Sequence, residues 1–285
     1  MAVVRGDVVE ARHRVHAVAV EEGRIVEAAG DPQLLTYFRS SAKPLQALPL
    51  VRLRPDLDDP EIAIACASHL ARPDQIAAVR SLLDRANATE DDLECGPEPT
   101  RLEHNCSGKH AGFLLVCRER GWPTRGYRRP EHPLQQLLSE EVGAAAEVDA
   151  ASSPTGVDGC GVVTWALPLE RMAHAFARLP TLEGGARTLA AMRAHPDLIR
   201  GPLAGDVVLM RALPGWTAKG GAEGLLCAVS REGVGIALKA EDGNWRALRP
   251  AVAELLRRIG QDSGELGVVP LENSRDEVVG ELVVT

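Results

Sequence analysis

Serine and lysine occur together at a spacing that could support nucleophilic catalysis. Ser40 and Lys43 form an S-x-x-K arrangement at the predicted start of a helix, where residues i and i+3 lie on one face about a turn apart. A serine needs a base to attack an amide, and a lysine can serve if burial or a nearby cation leaves its amine neutral. The structural alternative is that Ser40 only caps the helix and Lys43 is solvated.

A second serine follows a short apolar run in Cys66-Ala67-Ser68-His69. Ser68 is a candidate second nucleophile or proton relay, and His69 is a candidate substrate contact. The alternative is that both side chains satisfy backbone groups at the end of a helix.

The segment from His104 to His110 concentrates polar and metal-capable side chains immediately before an apolar helix. The spacing of Cys106, Lys109 and His110 predicts one shared face of the first helical turn, which suits a metal ion or a polar substrate. Cys160 lies in a glycine-rich loop that allows close approach to a ligand. Because cysteine is among the most buried residue types, two structural thiols are the alternative.

Lysine is rare in this chain, which has four lysines among 32 basic residues. Coding bias accounts for the scarcity, but arginine cannot lose its proton in a protein, so lysine should persist mainly where a deprotonatable amine is needed. Lys219 precedes two glycines and a predicted strand, a segment that could form one wall of a site. Lys239 lies at a predicted strand end and is interpreted as structural or surface.

Composition indicates the class of partner. A net charge of -8 and few aromatic residues argue against nucleic acid, so small molecules are the expected partners. No apolar run approaches the roughly 20 residues that cross a bilayer, and charge follows Met1 too closely for a signal peptide. We therefore expect a cytoplasmic protein that does not bind membranes.

Hydrophobic periodicity predicts sheet at both ends of the chain and helices between them. Strands are predicted over 3–9, 13–20, 24–28, 225–229, 233–238 and 277–284, and helices over 61–67, 74–86, 107–120, 133–146, 168–179, 185–195 and 248–259. The expected fold class is α+β in a single domain over 1–285. Its antiparallel sheet would come from about 1–38 and 215–285, and its helical region from about 39–214.

Five motifs in this order resemble the bacterial asparaginase II family, the thermolabile, rhizobial type of L-asparaginase. They are Arg39-Ser-Ser-Ala-Lys-Pro-Leu-Gln-Ala, Ala67-Ser-His, His104-Asn-Cys-Ser-Gly-Lys-His-Ala-Gly-Phe, Gly156-Val-Asp-Gly-Cys-Gly-Val and Ala218-Lys-Gly-Gly-Ala-Glu-Gly. The resemblance covers nearly the whole chain. It implies a fold like that of serine β-lactamases and glutaminases, a homodimer, and hydrolysis of L-asparagine to L-aspartate and ammonia.

The resemblance also implies roles for individual residues. Ser40 with Lys43 and Ser68 with Lys219 would be two serine-lysine pairs. Zinc would bind at Cys106, Lys109 and Cys160 without being strictly required for the chemistry. Candidate substrate-binding residues in the same motifs are Arg39, His69, Asn105, His110, Asp158 and Gly220.

The expected mechanism is acyl transfer, in which Ser40 attacks the side-chain amide, Lys43 takes its proton, and Ser68 and Lys219 relay protons or stabilise the tetrahedral intermediate. Arg39 and Asp158 suit the α-carboxylate and α-amine of a free amino acid.

Four alternatives stay open. They are zinc-activated water, glutamine as the substrate, a β-lactamase-like enzyme that lacks the K-[ST]-G motif, and an amino-acid sensor without turnover. The sensor is suggested by Leu70-Ala-Arg-Pro after His69, where the family typically has a small residue and Gly-Glu-Pro.

Overall fold

The computed structural model describes residues 1–149, 151–267 and 269–285. The strands are β1 Ala2–Arg5, β2 Val8–Arg12, β3 Val15–Glu21, β4 Arg24–Ala29, β5 Leu35–Tyr37, β6 Thr155–Val157, β7 Val163–Pro168, β8 Thr217–Gly221, β9 Leu225–Val229, β10 Gly235–Ala240, β11 Pro270–Glu272 and β12 Val278–Val283. The α-helices are α1 Lys43–Gln46, α2 Leu48–Leu53, α3 Asp59–Ala65, α4 Pro73–Arg85, α5 Ser107–Glu119, α6 Pro133–Ala146, α7 Leu169–Arg178, α8 Gly185–Ala194, α9 Pro196–Ile199, α10 Gly205–Ala212 and α11 Leu248–Arg258.

The central element is a five-stranded antiparallel sheet in the order β4-β3-β10-β9-β8. Strand β3 from the start of the chain pairs with β10 from its last quarter, so that Val15 lies opposite Ala240 and Val20 opposite Gly235. Helix α7 packs against β10. A side chain at Gly235 would collide with the backbone of Ala173 in α7, which explains the glycine at this close approach. The predicted α+β class, with sheet from both ends of the chain, is confirmed.

The ends of the chain build two sheets rather than one. Strands β1 and β2 join β11 and β12 in a separate antiparallel sheet of order β11-β12-β1-β2. The prediction of one strand over 3–9 is wrong, because Gly6 has a φ of +56° and turns the chain into a hairpin between β1 and β2.

The middle of the chain is not wholly helical. Strands β5, β7 and β6 form a small antiparallel sheet, and β6 and β7 fall inside the predicted helical region. Hydrophobic periodicity does not predict this hairpin, because β6 and β7 are short and the loop between them is rich in glycine. It presents the loop that carries Asp158 and Cys160.

The predicted long helices are present, and their ends differ from the predicted ones by at most two residues. Helix α3 begins at a capping box in which Asp58 accepts a hydrogen bond from the backbone N-H of Glu61. Helix α5 is buried from Ser107 to Cys117 because it crosses the interior beside α3 and α4. One hydrophobic core joins the sheet and these helices. The single domain over 1–285 stays a prediction.

Across the part of the chain that the structure describes, no helix has both the length and the apolar character needed to cross a membrane.

Candidate active site

Two lysine amines converge on one serine hydroxyl in the interior of the protein. Lys43 Nζ lies 3.1 Å and Lys219 Nζ lies 3.0 Å from Ser68 Oγ. Lys43 also donates to the carbonyl of Ala67, and Lys219 donates to its neighbour Gly220 at 2.7 Å. All three side chains are almost completely excluded from solvent. Ser68 therefore has a potential proton donor or acceptor on two sides.

Three separate elements bring these groups together. Lys43 is the first residue of α1 and follows a 3-10 turn over Arg39–Ala42. Ser68 lies just beyond α3, where its backbone N-H bonds to the carbonyl of Ile199 at 2.7 Å. Lys219 lies on β8, the edge strand of the large sheet. The 3-10 turn is fixed to β8 by Ser41, whose Oγ donates to the Lys219 carbonyl at 2.9 Å.

Ser40 is placed differently from the expectation. It lies one turn before Lys43, and none of the described hydrogen bonds involves its Oγ. The Lys43 side chain instead extends inward to Ser68. The expected contact between Ser40 and Lys43 is thus not formed here, because i, i+3 spacing brings two backbones together but does not fix the direction of a long side chain. Ser40 is half-buried, whereas Ser68 is buried.

The pKa values of both amines are lowered, which favours loss of a proton. Burial, partly offset by the Asp206 carboxylate, lowers the pKa of Lys219 to about 7. Burial is also the main cause that lowers the pKa of Lys43, and the Lys109 charge adds to it. A neutral amine within hydrogen-bond distance of a hydroxyl can act as a general base, which is the arrangement that serine-lysine catalysis requires.

His69 is locked in place by the protein. Its Nε2 lies 2.8 Å from Ser107 Oγ, which itself donates to the Leu102 carbonyl, so Nε2 is the donor toward Ser107. Its Nδ1 accepts from the backbone N-H of Ala71 at 3.1 Å. Burial lowers the pKa of His69 to about 4, which keeps the ring neutral. Both ring nitrogens are in use, so the predicted substrate contact stays a prediction, and the contacts described here fix the loop that carries Ser68.

The predicted metal ligands come together beside this cluster. Cys106 and Cys160 lie close enough for their thiols to influence each other, and Lys109 Nζ lies 3.1 Å from Cys160 Sγ. The interaction with Cys106 and, despite burial, the charge of Lys109 hold the pKa of Cys160 well below its ordinary value. Although burial acts in the opposite direction, Cys160 and Cys106 raise the pKa of Lys109. These shifts favour a thiolate on Cys160 beside an ammonium on Lys109.

Within residues 1–149, 151–267 and 269–285, no group of three or more His, Cys, Asp or Glu side chains is arranged to hold a metal ion. The third nitrogen or sulfur donor beside the two thiols is Lys109, and an amine binds metal only after losing its proton.

His110 carries a polar atom that the described residues leave unsatisfied. Tyr127 Oη accepts from the backbone N-H of Glu94 at 2.7 Å and lies within hydrogen-bond distance of His110 Nδ1, at 2.8 Å. Burial lowers the pKa of His110 well below its ordinary range, which favours the neutral ring. Nε2 is buried and finds no partner in the described part of the chain. The neighbouring Asn105 accepts a bond from Cys106 Sγ at 3.0 Å.

Arg39 and Asp158 form an ion pair at the more open side of the cluster. Arg39 Nε lies 2.6 Å from Asp158 Oδ1, which also accepts the backbone N-H of Gly159. Arg39 has a φ of +49°, a strained value for a residue with a side chain, next to Ser40. Strain of this kind is common where a backbone is held for function.

Gly220 is less available than expected. Its N-H donates to Asp206 Oδ2 at 2.9 Å, and its carbonyl accepts from Lys219. The sequence did not single out Asp206, because one acidic residue near the start of a helix is ordinary. Lys239, which was interpreted as structural or surface, is buried and bonds to the Ala240 carbonyl at the end of β10.

Among the thirteen residues singled out from the sequence, the described contacts form a first group of Lys43, Ser68, Lys219 and Gly220. Cys106 contacts Asn105, Lys109 contacts Cys160, and Arg39 contacts Asp158. Ser40, His69 and His110 form no described side-chain hydrogen bond to another of the thirteen. A comparison with models of protein families matches residues 1–284 to the family described as L-asparaginase II. A comparison with curated proteins finds no match. The family match covers all five motifs and supports amidohydrolase activity. The chain belongs to the L-asparaginase II family.

Proposed function

We propose that this protein hydrolyses the side-chain amide of L-asparagine by serine-lysine acyl transfer. The observation that carries the proposal is the line of polar atoms from Lys43 Nζ through Ser68 Oγ to Lys219 Nζ, with separations of 3.1 and 3.0 Å. A buried line of this kind can take a proton from a nucleophile and return it to a leaving group. The family match supports asparagine as the substrate.

Ser40 is the proposed nucleophile because it is the more accessible of the two serines and follows the paired Arg39 directly. Its Oγ attacks the amide carbonyl carbon, and its proton passes to Lys43, which requires that substrate binding bring Ser40 Oγ into contact with that amine. The C-N bond of the tetrahedral intermediate then breaks, and the proton leaves with the nitrogen as ammonia. Water hydrolyses the aspartyl ester, which releases L-aspartate and restores Ser40.

Substrate would bind across the ion pair of Arg39 and Asp158. Arg39 Nε and Asp158 Oδ1 bind each other, while the outer guanidinium nitrogens and Oδ2 are suited to the α-carboxylate and α-amine of an amino acid. Asn105, His69, His110 and Gly220 stay candidate substrate contacts. The unsatisfied Nε2 of His110 is the atom that a ligand would stabilise most.

A specific observation favours a second assignment, in which Ser68 is the nucleophile. Ser68 Oγ already contacts both amines, whereas Ser40 Oγ contacts neither among the described hydrogen bonds. Lys219 would then be the base and Lys43 would stabilise the developing charge. Both assignments use the same amines and give the same products.

Zinc binding at Cys106, Lys109 and Cys160 is also a proposal. Two thiols and an amine meet there, a donor set that suits zinc, and a bound zinc would act as a Lewis acid. The raised pKa of Lys109 means that zinc must displace a firmly held proton, so binding should weaken as the pH falls. Homodimer formation and a cytoplasmic location likewise stay predictions.

The test is ammonia release from L-asparagine and L-glutamine, with hydroxylamine added to capture an acyl-enzyme. Aspartyl hydroxamate formation at a constant ratio to ammonia is expected. Peptide mapping of protein quenched during turnover then locates the aspartyl ester. An adduct on Ser40 supports the first assignment and one on Ser68 the second. Turnover without hydroxamate, abolished by a chelator and restored by zinc, would favour zinc-activated water instead.

A further inference from the structure

Asp206 is a buried carboxylate that contacts the proposed base. It lies in the first turn of α10 and is completely excluded from solvent. Oδ2 accepts the backbone N-H of Gly220 at 2.9 Å and lies 3.6 Å from Lys219 Nζ, while Oδ1 accepts the N-H of Val207 at 3.1 Å. One carboxylate therefore binds both the backbone and the side-chain amine of the same short stretch of β8.

The hydrogen bonds alone do not explain a charged residue at this position. Strand β8 is the edge of the sheet, and the outward N-H of Gly220 needs an acceptor, which a neutral amide or hydroxyl could also supply. Burying a carboxylate costs free energy unless an opposite charge is close. In the described part of the chain, Lys219 is the only cation within 4.0 Å of Asp206.

The packing around Gly220 holds this arrangement rigidly. A side chain at Gly220 would meet the ring of Trp245 at 2.3 Å and Asp206 Oδ2 at 3.2 Å. The guanidinium of Arg200 stacks on the same indole, 5.3 Å from its centroid. Lys219 thus contacts one anion, Asp206, and lies near a cation, Arg200.

We propose that Asp206 is the positioning residue that holds Lys219 beside Ser68 and sets the pH at which Lys219 exchanges protons. This inference rests on the proposed function of Lys219 as a proton acceptor. In this role Asp206 contacts neither the substrate nor the serine hydroxyls. It acts through the amine and through the strand that carries it.

The charged and titratable groups around Lys219 act in known directions. Asp206 on α10 and Cys106 before α5 raise the pKa of Lys219, whereas Arg200 after α9 and Lys43 on α1 lower it. Removing the Asp206 charge should therefore lower the pKa of Lys219, and removing the Arg200 charge should raise it. A purely structural role for Asp206 would produce no such pair of opposite shifts.

Direct titration of Lys219 provides the test. The chain has only four lysines, so 13C-lysine labelling gives four side-chain signals that single substitutions can assign. In Asp206→Asn, whose amide oxygen can still accept from Gly220, we expect the Lys219 midpoint to fall by about one pH unit or more. In Arg200→Gln we expect it to rise. The ascending limb of kcat/KM for asparagine should move in the same two directions.

Unchanged midpoints in both variants would overturn the proposal. If Asp206→Asn does not fold, the Asp206 carboxyl carbon of the unmodified protein should show an inflection at the Lys219 midpoint, and its absence would overturn the proposal equally. The titration needs no turnover. If the midpoints shift but the protein releases no ammonia, the role of Asp206 is upheld and the proposed function is rejected. If the protein turns over asparagine but the midpoints do not shift, the proposed function is upheld and the role of Asp206 is rejected.

Discussion

Lys219 Nζ lies 3.0 Å from Ser68 Oγ, although 151 positions separate the two residues in the chain. The contact is made between an edge strand of the large sheet and the loop that follows α3. Because both residues are fixed by backbone hydrogen bonds, the amine and the hydroxyl meet before any substrate arrives. Preorganisation of this kind lowers the entropic cost of a proton transfer.

Replacing Lys219 with arginine should remove most of the asparaginase activity while keeping the positive charge. Arginine cannot give up its proton, so the variant cannot accept one from Ser68, and we expect a loss of about 100-fold or more in kcat. Ammonia release measures the effect. Lys239→Arg is the matched control, because its neighbours Glu223, Glu241 and Asp242 can bind a guanidinium outside the site. Equal losses in the two variants would contradict a special role for Lys219.

The pH dependence of kcat/KM should show an ascending limb with a midpoint near 7. Lys219, whose pKa is lowered to about 7, is protonated below that pH and cannot act as a base. Activity should therefore increase as the pH rises through this range. Initial rates from pH 5.5 to 8.5 at constant ionic strength provide the check. A rate that is flat across this range, or that falls with rising pH, would argue against Lys219 as the proton acceptor.

Metal content should depend on two of the six cysteines. If zinc binds as proposed, Cys106→Ser and Cys160→Ser should each lose most of it, because each removes a thiolate donor. Cys117→Ser is the matched control, since Cys117 is buried in helix α5, which begins directly after Cys106, and lies outside the ligand set. Elemental analysis of the purified proteins gives the comparison. The same zinc content in the unmodified protein and in all three variants would contradict the ligand assignment.

Gly108 should be required for the packing of α5, the helix that carries the proposed ligand Lys109 and begins directly after Cys106. A β-carbon there would lie 2.3 Å from the carbonyl oxygen of Ile64 in α3, so Gly108→Ala must push the two helices apart. We expect a loss of about 2–3 kcal/mol in the free energy of unfolding, measured by denaturant titration. Gly96→Ala, with no neighbouring atom within 4 Å, should change it by less than about 0.5 kcal/mol. Similar changes in the free energy of unfolding for Gly108→Ala and Gly96→Ala would refute the steric explanation.

Much of this organisation follows from the sequence. Alternation and capping predict the class, the long helices and the contribution of both chain ends to sheet structure, because these signals are local. The glycine-rich stretch around Lys219 gives no strand signal, yet it forms β8, since pairing with β9 and cover from α10 decide its conformation. Tertiary contacts override propensity at this edge.

The sequence predicts which residues belong to the site better than it predicts which of them contact each other. The motifs identify Ser68, Lys43 and Lys219, but only the fold shows that Lys43 extends to Ser68 and not to Ser40. The role of His69 depends on the tautomer that Ser107 and Ala71 impose, which no spacing indicates. Asp206 carries no motif at all, and its proximity to Lys219 arises from the packing of α10 on β8.

The most direct test of the account is the rate of ammonia release from L-asparagine by Ser68→Ala, compared with the unmodified protein at pH 8. Whether Ser68 relays the proton or attacks the amide, its Oγ is the atom that joins the two amines. We therefore predict that the rate of ammonia release falls by at least about 100-fold while the protein stays folded. Activity within a few-fold of the unmodified protein would show that the reaction does not pass through Ser68 and would contradict serine-lysine catalysis at this site.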